Sequence, residues 1–333
     1  MMMHLWRRMS ILWILGLSLS SSWLFLRPPQ LTRVLRARIS CWAAEAEISA
    51  ADMERAKKEI AELEELAAKE DANAQFRLGQ VLRKGRFVEQ DLIRAFQLIF
   101  DAAQQDHVRA EYVLGTMLIR AEGCEEDVDT GVNFVLMAAE DGYAPAQFAM
   151  SKLYLTGVHP GGEDALSGLY WLKRAASEHV PAQLKLGEML LKGEGVKRNE
   201  TLAARYFMLA AKEGSVQAQE VVGQLLRTGT GLARDEALAW TWLSKAADQG
   251  NEEACLTLAA MCRKGEGSPR DPAAALRWFE KAAKSGNPEA ANELGVMYLC
   301  GEGTMSDEAA SAYWFQRATE LEEQRLADAT YGI

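Results

Sequence analysis

Apolar and small residues return to the same places every 36 residues along most of this chain. The anchor of the pattern is an alanine, found at Ala74, Ala110, Ala146, Ala182, Ala218, Ala254 and Ala290. Counting from it as position zero, position four is Leu78, Leu114, Met150, Leu186, Val222, Leu258 and Leu294, and position eight is Leu82, Leu118, Tyr154, Leu190, Leu226, Cys262 and Tyr298. Zero, four and eight share one face of a helix, so each copy is predicted to open with an amphipathic helix. Position five is Gly79, Gly115, Ser151, Gly187, Gly223, Ala259 and Gly295. Glycine inside a helix costs ~1 kcal/mol against alanine, so a small residue held there in every copy implies the close approach of another helix.

A turn follows. Glycine occupies position eleven in six copies and position thirteen in five, where left-handed residues end a helix and reverse the chain. Position seventeen is Asp91, Asp127, Glu163, Asn199, Asp235, Asp271 and Asp307, six of which are good caps for the start of a second helix. That helix carries an aromatic residue, Phe134, Trp171, Tyr206, Trp242, Trp278 or Trp314, predicted to face the core, then two small residues and a closing glycine in most copies. The third copy adds a residue in its turn, at Pro160-Gly161-Gly162, and loses one in the next link. His159 and Glu163 lie in that turn without a third ligand and read as a loop irregularity, not a metal site.

The period sets the architecture: an all-α solenoid of seven helix-turn-helix repeats over residues 72–320, with capping helices at both ends. Residues 49–71, with Ile60, Leu63, Leu66 and Ala67 at helical spacing, read as an unpaired second helix closing the first repeat. Residues 321–333 read as a C-terminal helical extension and tail. If positions zero, four, five, seven and eight face the core, positions two, three, six, nine and ten form an open arc that successive repeats extend into one surface. Its apolar members cluster in the second to fourth copies. Tyr112, Ile119, Phe148, Leu155, Leu184 and Leu191 are the candidate groove for an extended or helical peptide. Lys152, Arg83, Lys84, Arg120 and Lys192 would hold acidic flanks. The competing expectation is that some of these side chains pack against the neighbouring repeat.

Residues 1–48 are a different kind of sequence. Met9 to Leu26 is an apolar run behind Arg7 and Arg8, a signal sequence or membrane anchor. Arg27, Arg33, Arg36 and Arg38 follow it and oppose simple export by the positive-inside rule. The arginine- and serine-rich, acid-free composition through Ala44 also fits a mitochondrial presequence. The expectation is an exported or membrane-anchored protein, extracytoplasmic, with a mitochondrial location as the alternative.

Charge and candidate chemistry narrow the function. All 47 acidic residues lie beyond residue 44, with all but six of the 37 Lys and Arg, so the repeat body repels nucleic acid. Cys41, Cys124, Cys255, Cys262 and Cys300 are odd in number and unpaired by the repeat, which excludes a disulfide framework; Cys255 and Cys262 read as buried small residues. The glycine-rich turns lack the Lys-Ser/Thr of a phosphate cradle. His4, His107, His159 and His179 show no metal spacing. No catalytic, metal or cofactor residues are expected.

Alanine, leucine-glycine, glycine-x-glycine-valine, aspartate, aromatic, double alanine and glycine, in that order, resemble the Sel-one-like repeat family, a subclass of the tetratricopeptide-type solenoids. Ala182 to Gly214 and Ala254 to Gly286 fit closely, whereas the first copy departs with Arg86 and Phe87 in its turn. The resemblance implies stacked antiparallel helix pairs in a right-handed superhelix, and a non-catalytic scaffold that binds protein or peptide on its concave face. Cysteine-rich relatives linked to penicillin binding carry a disulfide in nearly every repeat, which this chain does not. No serine has a lysine three residues on. A cell-wall or β-lactam-binding protein with weak hydrolysis is the alternative function, and an organelle assembly factor another.

Overall fold

A computed structural model describes residues 50–331, and among them the chain is fifteen α-helices joined by turns, with no strand. Helix α1 spans Ala50–Ala67. The repeats follow as helix pairs: α2 (Ala72–Lys84) with α3 (Leu92–Ala103), α4 (Val108–Ile119) with α5 (Val128–Glu140), and α6 (Ala144–Leu155) with α7 (Ala165–Ala175). Next come α8 (Val180–Lys192) with α9 (Glu200–Lys212), α10 (Val216–Thr228) with α11 (Glu236–Asp248), and α12 (Glu252–Lys264) with α13 (Pro272–Ser285). The last pair is α14 (Pro288–Cys300) with α15 (Glu308–Tyr331), so the C-terminal extension is a continuation of the seventh repeat's second helix. The apolar run Met9–Leu26 and Cys41 lie outside the described residues. Among those described, no helix is long and apolar enough to cross a membrane.

Packing divides the chain inside α1, into Met1–Glu62 and Leu63–Ile333. The first unit contributes to the described residues only the opening turns of α1. In the second, Leu63 and Ala67 at the end of α1 are buried, and Glu64 pairs with Arg94 of α3 at 3.0 Å. Leu66, expected on the covered face of this helix, is instead exposed. Its neighbours at helical spacing settle the buried stripe one residue to the side.

The core is laid down by the same positions in each copy. The anchor alanines are all buried, as is every position-four side chain. The small residue at position five sits against the second helix of its own repeat. At Gly115 a Cβ would lie 2.5 Å from the Gly131 carbonyl oxygen and 2.9 Å from the Val135 nitrogen, so the α4 and α5 backbones themselves touch. In the second helices the deepest residue is not the aromatic but the one after it: Val135, Leu172, Phe207, Leu243 and Phe279 are buried. The preceding Phe134, Tyr206, Trp242 and Trp278 are half-buried at its edge, Trp171 alone being buried. Cations cover some exposed ring faces, Lys245 Nζ 4.4 Å above Trp242 and Lys281 Nζ 5.2 Å above Trp278.

The caps hold with one shift. Asp91, Asp127, Asn199, Asp235, Asp271 and Asp307 each accept a hydrogen bond from the backbone N–H three residues on, at 2.9–3.0 Å. In the third repeat the extra turn residue moves the cap from Glu163 to Asp164, which accepts from the Leu166 and Ser167 amides at 2.9 and 3.2 Å.

The first helices add one buried position and correct another. Position one, left unassigned by the pattern, is buried: Gln75, Glu111, Gln147, Gln183 and Gln219 form a polar line inside the core, where Gln147 and Gln219 donate to the carbonyls of Ala139 and Ala211 at 3.1 and 3.3 Å. Position three, assigned to the open arc, is buried at Val113 and Thr257. Here α4 and α12 turn further into the stack than the arc of an isolated helix implies.

Glu111 stands in that line where the first, third, fourth and fifth copies have glutamine. It is 2% exposed and its Oε2 has no hydrogen-bond partner. Burial first, then the nearby Asp141 and Asp106, push its carboxyl above the usual range. A carboxyl raised on folding favours the folded state while protonated and loses that contribution as pH rises through the folded value. Glu111→Gln supplies a neutral donor of the same shape, so it is expected to stabilise the array at neutral pH by about 1–3 kcal/mol. The gain should shrink as pH falls through the raised folded value towards the ordinary carboxylate range. Thermal unfolding of both chains across pH 4–8 checks this, and a gain that stays flat with pH contradicts it.

Candidate functional site

The predicted groove residues lie on the first helices of the second, third and fourth repeats, at α4, α6 and α8. All six apolar ones are half-buried, and Lys152 is exposed. Their contacts differ by position. Ile119 and Leu155, at position nine, lean onto the second helix of their own repeat: a Cβ at Gly131 would lie 2.7 Å from Ile119 Cγ1, and one at Gly168 2.7 Å from Leu155 Cγ. Leu184 and Leu191 pack against the edge of the main core. Part of each side chain is therefore spent on the fold, and only its outer part faces the arc.

The aromatic members make a second arrangement that spacing alone missed. Tyr112 meets Tyr143 edge-on, with ring centroids 5.5 Å apart and planes at 67°, and Phe148 lies 5.3 Å from the His179 ring. In the first repeat Phe76 and His107 pair likewise at 4.8 Å. Each partner sits at position thirty-three, immediately before the next first helix. In later copies that place is held by Ser215, Asn251 and Asn287, whose side chains cap the following helix through Ala218, Ala254 and Ala290. Tyr143 and His179 make no such cap, and proline in the first two positions of α6 and α8 partly relieves the need for one. A cap lost twice in succession was readable in the sequence and marks this stretch as different from the rest.

Electrostatics separate the middle repeats from the ends. Arg83 donates to Glu122 at 2.7 Å, and Arg227 and Arg263 pair with Glu266 and Glu302 at 3.4 and 3.1 Å. Each bridge joins position nine of one repeat to position twelve of the next. Its hydrogen bond from Arg83 holds the Glu122 carboxyl below the usual range. In the second to fourth repeats the same two places are Ile119 and Val158, Leu155 and Glu194, Leu191 and Thr230, so the strap is missing. The apolar groove coincides with this gap.

The cations assigned to acidic flanks are not equally free. Arg83 is engaged by Glu122, Arg120 lies 3.7 Å from the same carboxylate, and Lys192 is 3.9 Å from Glu194. Lys84 and Lys152 have no carboxylate partner among the described residues. Lys152 Nζ stands 4.4 Å over the Phe148 ring. Burial, and then Lys152, lower the His179 pKa and favour its neutral imidazole, while burial raises the Tyr112 phenol. The face is thus aromatic and apolar with two free cations.

Elsewhere the candidate chemistry is spent on structure. His159 stacks on Tyr154 at 4.1 Å, and its Nδ1 accepts from the Gly161 amide at 3.0 Å. Cys255 and Cys262 are buried and unbridged, and Cys124 and Cys300 are free as well. Among the described residues, no group of three or more His, Cys, Asp or Glu is placed to hold a metal ion.

The family model described as Sel1 repeat matches the chain seven times, at residues 72–107, 108–143, 144–179, 180–215, 216–251, 252–287 and 288–322. Among the solved structures similar to it are two with 28% identity. One is c5321, a protective antigen of uropathogenic Escherichia coli strains displaying an SLR fold, with 28% identity and a TM-score of 0.71 over 78% of this chain. The chain spans 56% of the length of that antigen. The other is a Sel1 repeat protein from Oxalobacter formigenes, with 28% identity and a TM-score of 0.61 over 84% of this chain and 82% of its own. No curated protein matches the chain by sequence.

Proposed function

The chain belongs to the Sel1 repeat family, whose arrays are protein-interaction scaffolds, and from that premise we propose that it holds a peptide segment of a partner on the face of α4, α6 and α8, without catalytic activity of its own. The single observation that carries this reading is the interrupted strap. Arginine-glutamate bridges close the arc at both ends of the array, and three consecutive repeats replace them with Ile119, Leu155 and Leu191. An apolar strip bounded by bridged repeats suits an extended or helical segment, with anchoring from Tyr112 and Phe148. Lys84 and Lys152 would meet carboxylates at the segment's ends.

Panning a displayed library of random twelve-residue peptides on the full chain tests this. Peptides recovered on the intact protein are expected to bind the Tyr112→Ala/Phe148→Ala chain at least tenfold more weakly, with helical content unchanged. Loss of helical content would make the two aromatics core residues, and equal binding would place the peptide site elsewhere.

A further inference from the structure

Four of the six seams between repeats are closed in the same way. At position thirteen the turn glycine of one repeat lies on the backbone at the start of the preceding repeat's second helix. A Cβ added at Gly123, Gly231, Gly267 or Gly303 would fall 2.1, 2.2, 2.8 or 2.4 Å from the carbonyl oxygen of Leu92, Glu200, Glu236 or Pro272. At Gly195 the same Cβ would meet only the Met189 methyl, at 3.5 Å. The cause is local: the extra residue in the third turn redirects the start of α7, so the α8–α9 turn no longer rests on it. Helices α7 and α8 touch far less than any other second helix and the first helix that follows it. A cavity of about 520 Å³ opens in the space.

That cavity differs in its charge from a pocket at another seam. Between the sixth and seventh repeats a pocket of about 460 Å³ is lined by Arg263, Lys264 and Arg270 and by Glu289, Glu293 and Glu302, and Arg263 and Arg270 are tied to those carboxylates at 2.7–3.2 Å. The open seam has Leu169, Val196, Leu202 and Tyr206 in its walls, three cations at its rim and no acid in its lining. Of those cations Arg198 is taken by Glu200 at 2.5 Å, while Lys173 and Lys197 have no carboxylate partner among the described residues. On the outer side α7 continues the apolar wall with Leu166 and Tyr170, 82% and 54% exposed. In a chain of net charge −10, an apolar cavity with an uncompensated positive rim is a local reversal of sign.

We propose that the seam between the third and fourth repeats is a second binding site, which takes an aromatic or aliphatic anchor side chain of a partner protein whose flanking residues are Asp or Glu. The anchor displaces water from between Leu169, Leu202 and Tyr206, and the flanking carboxylates pair with Lys173 and Lys197. The site lies at the turn edge of the stack, made by α7, α9 and the α8–α9 turn, and shares no residue with the proposed groove. Its success or failure is therefore independent of that of the groove.

The test pans the same twelve-residue library in parallel on the full chain and on the Lys173→Glu/Lys197→Glu chain; both lysines are exposed, so the variant keeps its helical content. Peptides specific to the unaltered chain are expected to carry an aromatic or aliphatic residue beside Asp or Glu. They should bind the charge-reversed chain at least tenfold more weakly and the Tyr112→Ala/Phe148→Ala chain equally well. Carbodiimide, which joins carboxylates to touching amines, should couple them to Lys173 or Lys197. Recovery of no peptide that distinguishes the two chains overturns the proposal. So does coupling spread over other surface lysines, or a seam that binds dodecanoate and no peptide.

Discussion

Gly115→Ala is expected to destabilise the array by about 2 kcal/mol, although alanine is the better helix former. The gain in helix propensity is ~1 kcal/mol. Against it stands a Cβ placed 2.5 Å from the Gly131 carbonyl oxygen and 2.9 Å from the Val135 nitrogen, both backbone atoms that cannot rotate away. Helices α4 and α5 must separate, and Gly131, whose own face meets Ile119 and the Gly115 carbonyl, loses its fit with them. Overpacking of this kind costs ~1–3 kcal/mol or more where the obstacle is main chain. Gly187→Ala is the control: there the Cβ meets the Phe207 ring at 2.8 Å, a side chain able to tilt, and the loss should be smaller. Denaturant unfolding with hydrogen exchange read separately on α4 and α5 measures both. A Gly115→Ala chain as stable as the original would show that the two helices have room to spare.

The second large effect is a contrast between two glycines of the same conformation. Gly231 and Gly195 have φ of 70° and 68°, so alanine meets the same left-handed strain, ~1 kcal/mol, at either. At Gly231 it also meets the Glu200 carbonyl oxygen at 2.2 Å, closer than any non-bonded carbon and oxygen can stand, and the fourth and fifth repeats must part. Gly231→Ala is expected to cost about 3 kcal/mol or more and Gly195→Ala about 1 kcal/mol. Equal losses in thermal unfolding would mean that the third turn does not hold the seam open.

The fold was legible because its signal repeats. An alanine at a fixed step, a small residue five places on and an acid at the head of the next helix each state a geometric need, and seven repetitions separate that need from chance. What could not be read was what depends on two helices at once. On a helical wheel position one falls between positions eight and five on the core face, and what hides it from a reading by hydropathy is that Gln75 to Gln219 are polar there; their burial shows that a first helix is covered on both flanks, by its own partner and by the preceding repeat. The same reason places Val113 and Thr257 inside. The aromatic stripe was recognised, but its depth depends on how far α9 or α11 rolls toward the next first helix, and the roll buries Phe207 and Leu243 behind Tyr206 and Trp242.

The candidate groove was legible as a composition and not as a surface. Apolar residues at positions two and nine of three copies were visible, whereas the lean of Ile119 and Leu155 onto the glycines opposite them was not. The stacking partners Tyr143 and His179 stand thirty-one residues from Tyr112 and Phe148, a separation that becomes adjacency only once the chain has turned twice. The insertion in the third turn was likewise plain in the sequence. That it moves the cap to Asp164 is local chemistry, but that it parts α7 from α8 is a consequence felt in another repeat.

The open seam also bears on how the molecule unfolds. In a linear array each repeat is stabilised by its neighbours, and cooperativity passes along the stack through the interfaces. The buried apolar core nevertheless crosses this seam, because Leu172, Ala175 and Ala176 of α7 belong to one cluster with Ala182 and Leu186 of α8. Those few residues carry the coupling that the third turn has thinned. The amides of α7 and α8 are therefore expected to exchange sooner than those at the closed seams, while the array still unfolds as a connected stack. A ligand that seals the seam would slow that exchange.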